Sequence, residues 1–166
     1  MDWWHASCET LQSVIGQSGV DPRDIKGLGI SGQMHGLVML DKQGQVLRRS
    51  ILWCDQRTAK QCEEITQRVG KERLIQITAN PALTGFTASK ILWVRENEPE
   101  LYAQCAHILL PKDFVRYKLT GEFATEVSDA SGMQLLDVPH RCWSQEVLEK
   151  LDIPPALLAK VYESPE

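Results

Sequence analysis

Hydrophobic residues recur every three or four positions along several stretches of the chain, which is the spacing of an amphipathic helix. Glycine or proline follows most of these stretches, as expected where a helix ends. The predicted helices cover residues 4–16, 59–69, 87–97, 101–105, 112–119 and 143–151. Thr87 is predicted to cap the third of them. The pattern is therefore mainly helical from residue 59 onwards.

Short apolar runs bounded by glycine and polar residues predict strands, most of them in the first third of the chain. The expected strands cover residues 26–31, 37–40, 46–47, 51–53 and 107–110. Gly44 follows Asp41 in a predicted hairpin loop, where glycine suits a left-handed backbone. Residues 125–132 are predicted to form a polar loop. A helix, a sheet meander and then helices mixed with a strand indicate an α/β or α+β domain, with its sheet flanked by helices.

Length, composition and charge narrow the classes of protein. The chain has 166 residues, of which 43% are hydrophobic, a proportion typical of a single globular domain with a real core. The 18 basic residues are outnumbered by 22 acidic ones, and they form no basic stripe, which argues against a nucleic-acid partner. Because no apolar run approaches the ~18 residues of a membrane span, we expect no membrane partner.

Cysteine usage and known motifs exclude further classes. The five cysteines are odd in number and include no CxxC pair, which disfavours a disulfide framework and a zinc ribbon. The first residues show no secretory signal pattern, so a cytoplasmic location is the prediction. The sequence contains no GxxxxGKS/T, GxGxxG or HExxH motif. It therefore indicates no metal site and no complete nucleotide site of its own.

A short polar segment lies between two of the predicted strands. Gln33, Met34 and His35 stand between Gly32 and Gly36, and glycine allows a tight turn and the close approach of a ligand. A histidine can form hydrogen bonds with a hydroxyl group, and a methionine offers an adaptable apolar wall. The alternative is a plain turn with an exposed histidine, which the spacing alone favours.

Four other positions carry polar side chains of interest. Asp55 suits the N-terminus of the helix that follows it, and Arg57 could pair with Asp55 or with an anionic ligand; structural capping is the favoured role. Asp129 suits an Asx-turn, and the alternative is that it presents a carboxylate to a polyol. Lys90 lies in an apolar helix beside Trp93, and we expect it to extend along the helix to water.

Five segments together resemble the FGGY family of carbohydrate kinases. Residues 85–97, GFTASKILWVREN, are similar to the first signature of that family. The segments GISGQMHGLVMLD, ILWCDQRTAKQC, LLPKDFVRYKLTGEFATEVSDASG and MQLLDV resemble the branch that phosphorylates D-xylulose. The matches follow family order from Trp3 to about Tyr162, which makes them more specific together than any one is alone.

The resemblance implies a ribonuclease-H-like fold of the sugar kinase/actin superfamily, with a mixed sheet flanked by helices. Residues 1–166 would form most of the N-terminal, sugar-binding domain, incomplete at its N-terminal strands, and the ATP-binding domain would lie outside the chain. The family reaction passes the γ-phosphoryl group of ATP to the 5-hydroxyl of D-xylulose, with Mg²⁺ and a carboxylate that accepts the hydroxyl proton. The DLGTS phosphate loop and the GDN aspartate of the family are absent from this sequence, so no catalytic residue and no metal ligand is expected in it.

The resemblance also implies roles for particular residues. Met34 and His35 match the pair that holds the ketose, with His35 on the sugar hydroxyls, Met34 on the carbon skeleton and Gln33 in support. Glycerol kinases carry a charged Arg-Glu pair at this position, so the pair found here favours a ketopentose. Supporting positions near the sugar are implied for Asp55, Arg57 and Asp129.

Two alternative interpretations stay open. The sugar could be L-ribulose, gluconate or glycerol, or the chain could be a noncatalytic binding module of the same fold. Flanking DNA that encodes DLGTS upstream and GDN downstream would indicate a kinase, and the lack of both would favour the module. The expected partners are D-xylulose and the remainder of the same kinase, and the whole kinase is a candidate homodimer.

By itself, the chain of 166 residues is expected to show no kinase activity, because neither the phosphate loop nor the general base is among its residues. A coupled assay of ADP release with D-xylulose and ATP-Mg²⁺ tests this on the purified chain. Turnover above the background without sugar would contradict the expectation that residues 1–166 are only part of the catalytic machinery.

Overall fold

The computed structural model describes residues 1–165, which form eight α-helices and six short strands. The helices are Asp2–Ser18 (α1), Ala59–Val69 (α2), Lys71–Thr78 (α3), Thr87–Asn97 (α4), Pro99–Gln104 (α5), Pro111–Thr120 (α6), Val127–Ser131 (α7) and Gln145–Leu151 (α8). The strands are Val38–Leu40 (β1), His107–Leu109 (β2), Ala124–Glu126 (β3), Leu136–Asp137 (β4), Cys142–Trp143 (β5) and Lys160–Tyr162 (β6).

Strand β1 is paired on both of its edges. One edge runs antiparallel to β2. On the other edge, isolated antiparallel bridges join Leu37 to Ile51 and Leu40 to Val46. The connecting loop contains Gly44 with φ 74°, the left-handed conformation expected there. The predicted hairpin after residue 40 is therefore confirmed.

Two further strand pairs complete the β-structure of the described residues. Strand β3 runs parallel to β6, and β4 runs antiparallel to β5. Ile108 of β2 also forms a parallel bridge with Leu158. Parallel and antiparallel pairing therefore occur together among the helices, in agreement with the predicted mixed α/β class.

Helix α4 lies at the centre of the apolar core. Its residues Thr87–Leu92 are all buried, and it packs against α2 and α5. Ile65 of α2, Ile91 of α4 and Leu148 of α8 belong to one apolar cluster. Full burial of one such side chain contributes about 1.5–3 kcal/mol, so this packing holds the first turn of α4 firmly in place. That turn carries the residues that contact the segment before β1.

The strand predicted over residues 26–31 is wrong. This segment forms no strand and pairs with no strand of residues 1–165, and Lys26 to Gly29 are exposed. Backbone N–H and C=O groups need a partner, which a neighbouring strand or water supplies. The glycines at 27 and 29 also weaken a strand, because they have no side chain to pack.

The polar loop predicted over residues 125–132 is also wrong, since this stretch forms the end of β3 and all of α7. The side chain of Glu126 accepts the backbone N–H groups of Ser128 and Asp129, both at 2.8 Å. A carboxylate on these unpaired N–H groups stabilises the start of a helix. The composition of the stretch concealed this local cap.

Two helices differ from their predicted extents. Helix α1 runs to Ser18 and ends at Gly19, whose φ of 68° is left-handed, and not at Gly16. Helix α3 was missed because it is only eight residues long and its first three residues are charged, so that Leu74 and Ile77 are its only buried apolar side chains. It follows α2 directly across Gly70, whose φ of 92° allows the change of direction.

All five cysteines are free thiols; Cys54 and Cys142 are exposed and the other three are partly buried. In the described part of the chain, no helix combines the length and the apolar character that crossing a membrane requires.

Asp113 is a buried carboxylate in the first turn of α6. Its residue is 1% exposed, and neither carboxylate oxygen meets a hydrogen-bond partner among residues 1–165. Burial raises the pKa of Asp113 to about 6, against the opposing effects of the nearby Thr125 hydroxyl and, less strongly, of the Lys112 charge. The ionised form is therefore a cost to the folded state.

The stability of the chain is expected to fall between pH 4 and pH 6, where folded Asp113 holds its proton and the unfolded chain has lost it. Above pH 6 the full penalty is present, so Asp113→Asn should unfold with a free energy higher by up to about 3 kcal/mol at pH 7 than the parent chain. Urea unfolding of both chains at several pH values measures this difference. A difference that does not grow with pH would contradict the assignment.

Candidate functional site

The segment before β1 makes a tight turn that presents His35. The amide of Gly36 donates to the carbonyl of Met34 at 2.8 Å, and His35 has a φ of 67°. A Cβ on Gly36 would lie 2.6 Å from Cγ of Pro111, so only glycine fits against the start of α6. Because a left-handed histidine is unfavourable, contacts from neighbouring elements must hold it.

The imidazole of His35 is held by one hydrogen bond and one aromatic contact. Its Nδ1 lies 2.8 Å from the carbonyl oxygen of Gly132. Since a carbonyl oxygen only accepts, Nδ1 carries the hydrogen in this contact, and Nε2 of the neutral ring is left as an acceptor. The ring of Phe86 packs edge-on against it, with 4.8 Å between centroids. The partly buried His35 is therefore oriented and has one nitrogen available.

The side chain of Met34 lies beside Gly132, as the His35 ring does. It is partly buried and packs against the main apolar core. A Cβ on Gly132 would lie 2.5 Å from Nδ1 of His35, and closer still to Cε1 of His35 and Cε of Met34. The bare backbone at Gly132 therefore makes room for both side chains.

Lys90 lies beneath the turn and does not extend to water, so the sequence-based expectation for it is wrong. Lys90 is 0% exposed. Its Nζ donates to the carbonyls of His35 and Phe86, each at 3.1 Å, and to the carbonyl of Gly85. Burial lowers the pKa of Lys90 to about 8, while the nearby Asp55 carboxylate acts to raise it. The ammonium is solvated by backbone carbonyls in place of water.

The hydroxyl of Thr87 binds the same carbonyl oxygen. Its Oγ1 donates to His35 O at 3.0 Å. Thr87 was predicted to cap α4, but Phe86 occupies the N-cap position and Thr87 is the first residue of the helix. The cap prediction is wrong because Thr87 lies one position inside the helix, where its hydroxyl donates to the His35 carbonyl.

Gln33 lies apart from the His35 side chain. Its backbone carbonyl accepts the amide of Lys112 at 3.2 Å. Gln33 lines a shallow groove of about 430 Å³ between α1 and α6, together with Trp3 and Pro111. The structure therefore separates Gln33 from the Met34 and His35 contacts around Gly132.

Asp55 and Arg57 form a pair with each other. The guanidinium of Arg57 donates to both carboxylate oxygens of Asp55, at 2.7 to 3.0 Å, and stacks over the ring of Trp93. The side-chain hydrogen bond from Arg57 lowers the pKa of Asp55. The predicted capping role is wrong, because the N-cap of α2 is Thr58. The predicted pairing of the two side chains is confirmed.

Asp129 is paired with a lysine and makes no Asx-turn. Nζ of Lys112 lies 2.8 Å from Asp129 and 2.6 Å from Glu126, and all three side chains are mostly buried. Although burial acts to raise the pKa of Glu126, hydrogen bonds from Lys112 and Ser164 lower it to about 2. This cluster joins α6 to α7. Its member in α7, Asp129, precedes Gly132 by three residues.

Three residues of the site were not recognised from the sequence. The His35 turn contacts Phe86, Lys90 and Gly132, although each of them lies more than 50 positions from His35 along the chain. Only the fold brings them together. The one signal in the sequence was Lys90 itself, a charge in an otherwise apolar helix. A buried lysine needs partners, and this could have been used to predict carbonyl contacts.

Comparison with known proteins identifies the family. The model for the FGGY family of carbohydrate kinases, N-terminal domain, matches residues 1–166. The chain therefore belongs to the FGGY family of carbohydrate kinases, and the fold and family expected from the sequence are confirmed.

Individual relatives agree with this family. The chain is 45% identical over 163 residues to the xylulose kinase of Bacillus subtilis, which covers 98% of the chain and 32% of that protein. The crystal structure of a xyloylose kinase from Brucella ovis matches with a TM-score of 0.86 and 36% identity, over 93% of this chain and 32% of the other. A gluconate kinase from Lactobacillus acidophilus matches with a TM-score of 0.79 and 26% identity, over 87% and 29%. The chain spans about a third of the length of these relatives.

Replacing Gly132 by alanine is expected to displace the Met34 and His35 side chains and to lose about 1–3 kcal/mol of stability, the usual cost of overpacking. Gly132 has φ −80°, so the backbone tolerates alanine and the effect is purely steric. Urea unfolding and the ¹⁵N shifts of the His35 ring measure the two effects.

Gly16→Ala is the matched control, because a Cβ there meets no atom within 4 Å. It should leave the His35 signals unchanged and stabilise α1 by roughly 0.5–1 kcal/mol. Unchanged His35 signals in Gly132→Ala as well would show that the turn does not depend on the space at Gly132.

Proposed function

We propose that the protein to which this chain belongs transfers the γ-phosphoryl group of ATP to the 5-hydroxyl of D-xylulose, and that this chain supplies part of the sugar site. The observation that carries the proposal is the oriented His35 imidazole, with Nδ1 bound to the carbonyl of Gly132 and Met34 beside it. The similarity to xylulose kinases along 98% of the chain supports the same substrate.

His35 and Met34 would bind different parts of the sugar. The Nε2 lone pair of His35 accepts a hydrogen bond from a sugar hydroxyl, because the other ring nitrogen is already occupied. Met34 provides an apolar contact for the carbon skeleton. A ketose held in this way has a fixed orientation, which lowers the entropic barrier to phosphoryl transfer.

The other residues for which the family resemblance implies a role would act as supports. Asp55 and Arg57 would have a structural role beside α4, because each already neutralises the charge of the other in an ion pair. Asp129 would fix α7 through Lys112, and so hold Gly132 in place. Gln33 would contribute its backbone carbonyl to the joint with α6.

ATP and Mg²⁺ are implied by the family, which supplies the phosphoryl group and its counter-charge in this way. The described residues include no cluster of three or more His, Cys, Asp or Glu side chains able to hold a metal ion, although Mg²⁺ bound to a nucleotide needs only one or two protein carboxylates. On the family resemblance, we propose that nucleotide binding, metal binding and the proton acceptor belong to the remainder of the same kinase. A cytoplasmic location and a homodimer stay predictions for the whole protein.

A different sugar is the second candidate, favoured by one observation. The gluconate kinase of Lactobacillus acidophilus shares the fold of this chain with a TM-score of 0.79. Its identity of 26% is well below the 45% to the Bacillus subtilis xylulose kinase. The comparison therefore favours D-xylulose over gluconate, and a panel of sugars separates the two.

In the whole kinase, His35→Ala is expected to lower kcat/KM for D-xylulose at least about tenfold, because one oriented hydrogen bond to the sugar is lost. His140→Ala is the matched control, since His140 is exposed and contacts Asp137. Steady-state kinetics with D-xylulose, L-ribulose, gluconate and glycerol measure both variants.

The loss should be largest for D-xylulose, and the control should match the parent enzyme. Equal kcat/KM for D-xylulose in His35→Ala and His140→Ala would remove His35 from the sugar site. A parent protein that turns over gluconate and not D-xylulose would support the second candidate in place of the first.

A further inference from the structure

Lys90 is a buried cation whose three hydrogen bonds all run to backbone carbonyls around the His35 turn. We propose that Lys90 is a positioning residue for sugar binding: its ammonium fixes the peptide of His35 and thereby the direction of the imidazole. The link to sugar binding rests on the function proposed above. The positioning of the His35 ring by Lys90 does not depend on the substrate, and the ¹⁵N signals of the ring measure it.

The ammonium joins two chain segments that each carry a ring of the site. His35 O belongs to the turn before β1, whereas the carbonyls of Gly85 and Phe86 belong to the entry of α4. The rings of His35 and Phe86 meet edge-on with 4.8 Å between centroids. One buried group therefore sets the distance between the two backbones from which these rings extend.

The carbonyl of His35 is fixed by two donors. Nζ of Lys90 and Oγ1 of Thr87 lie 3.1 Å and 3.0 Å from this oxygen. Rotation of the peptide after His35 would break both hydrogen bonds and leave buried donors without partners. Because His35 has a φ of 67°, the backbone alone would not favour this conformation.

An apolar side chain would fill the same space without the cost of a buried charge. Methionine is unbranched, like the stem of lysine, and it suits irregular core positions. A lysine that is 0% exposed is therefore not explained by packing. Orientation of the three carbonyls is the property that the ammonium adds and methionine lacks.

The test compares Lys90→Met, Thr87→Val and Thr78→Val in the whole kinase. Thr87→Val is the milder variant, and it removes one hydrogen bond to His35 while nearly keeping the shape of the side chain. Thr78→Val is its matched control: Thr78 is equally buried, but its hydroxyl binds the carbonyls of Leu74 and Asn80. Thermal unfolding, steady-state kinetics and the ¹⁵N signals of the His35 ring are measured for each.

Lys90→Met is expected to raise KM for D-xylulose at least about tenfold and to change kcat less than about threefold. The reason is that the His35 imidazole, which binds the sugar, loses its fixed orientation. Thr87→Val should raise KM in the same direction by a smaller factor. Both should shift the ¹⁵N signals of the His35 ring, identified as those that His35→Ala removes. Thr78→Val should lose thermal stability with KM and the His35 signals unchanged.

Unchanged KM and unchanged His35 signals in the Lys90 and Thr87 variants would overturn the proposal, as would equal changes in Thr78→Val. If Lys90→Met does not fold, Thr87→Val and its control still give the same decision. If the His35 signals shift but the parent protein does not use D-xylulose, the positioning of His35 by Lys90 stands and the proposed substrate fails.

Discussion

The site depends on a buried ammonium that is solvated by backbone carbonyls. Lys90 reaches the carbonyls of His35, Gly85 and Phe86 from inside the core, and Thr87 adds a hydroxyl to the first of them. These contacts are short-range and directional, so they hold a left-handed histidine that the backbone alone would not favour. The stability of the core and the geometry of the turn are in this way connected through α4.

A second constraint is the space beside Gly132. The carbonyl of Gly132 orients the His35 ring, and the missing side chain leaves room for Met34. Asp129 and Lys112 hold the helix that precedes Gly132 against α6. The family identity explains the overall fold, whereas these local contacts explain why Nδ1 of His35 is occupied and Nε2 is the nitrogen proposed to bind the sugar.

The sequence predicted the amphipathic helices and the hairpin around Gly44. It also singled out Met34 and His35 as candidate binding residues. It failed where long-range contacts decide: residues 26–31 find no partner strand among residues 1–165, and Glu126 converts a polar stretch into a helix start. Spacing alone favoured a plain turn around His35, because Phe86, Lys90 and Gly132 join it only in the folded chain. The family resemblance, and not the periodicity, is the source of the proposed function.

The most direct test of the account is a crystal structure of the whole kinase with D-xylulose bound. We predict that Nε2 of His35 accepts a sugar hydroxyl at about 3 Å, with Nδ1 still bound to Gly132 and Met34 against the carbon skeleton. A sugar bound away from this turn, or a His35 ring that has left the Gly132 carbonyl, would contradict the central claim.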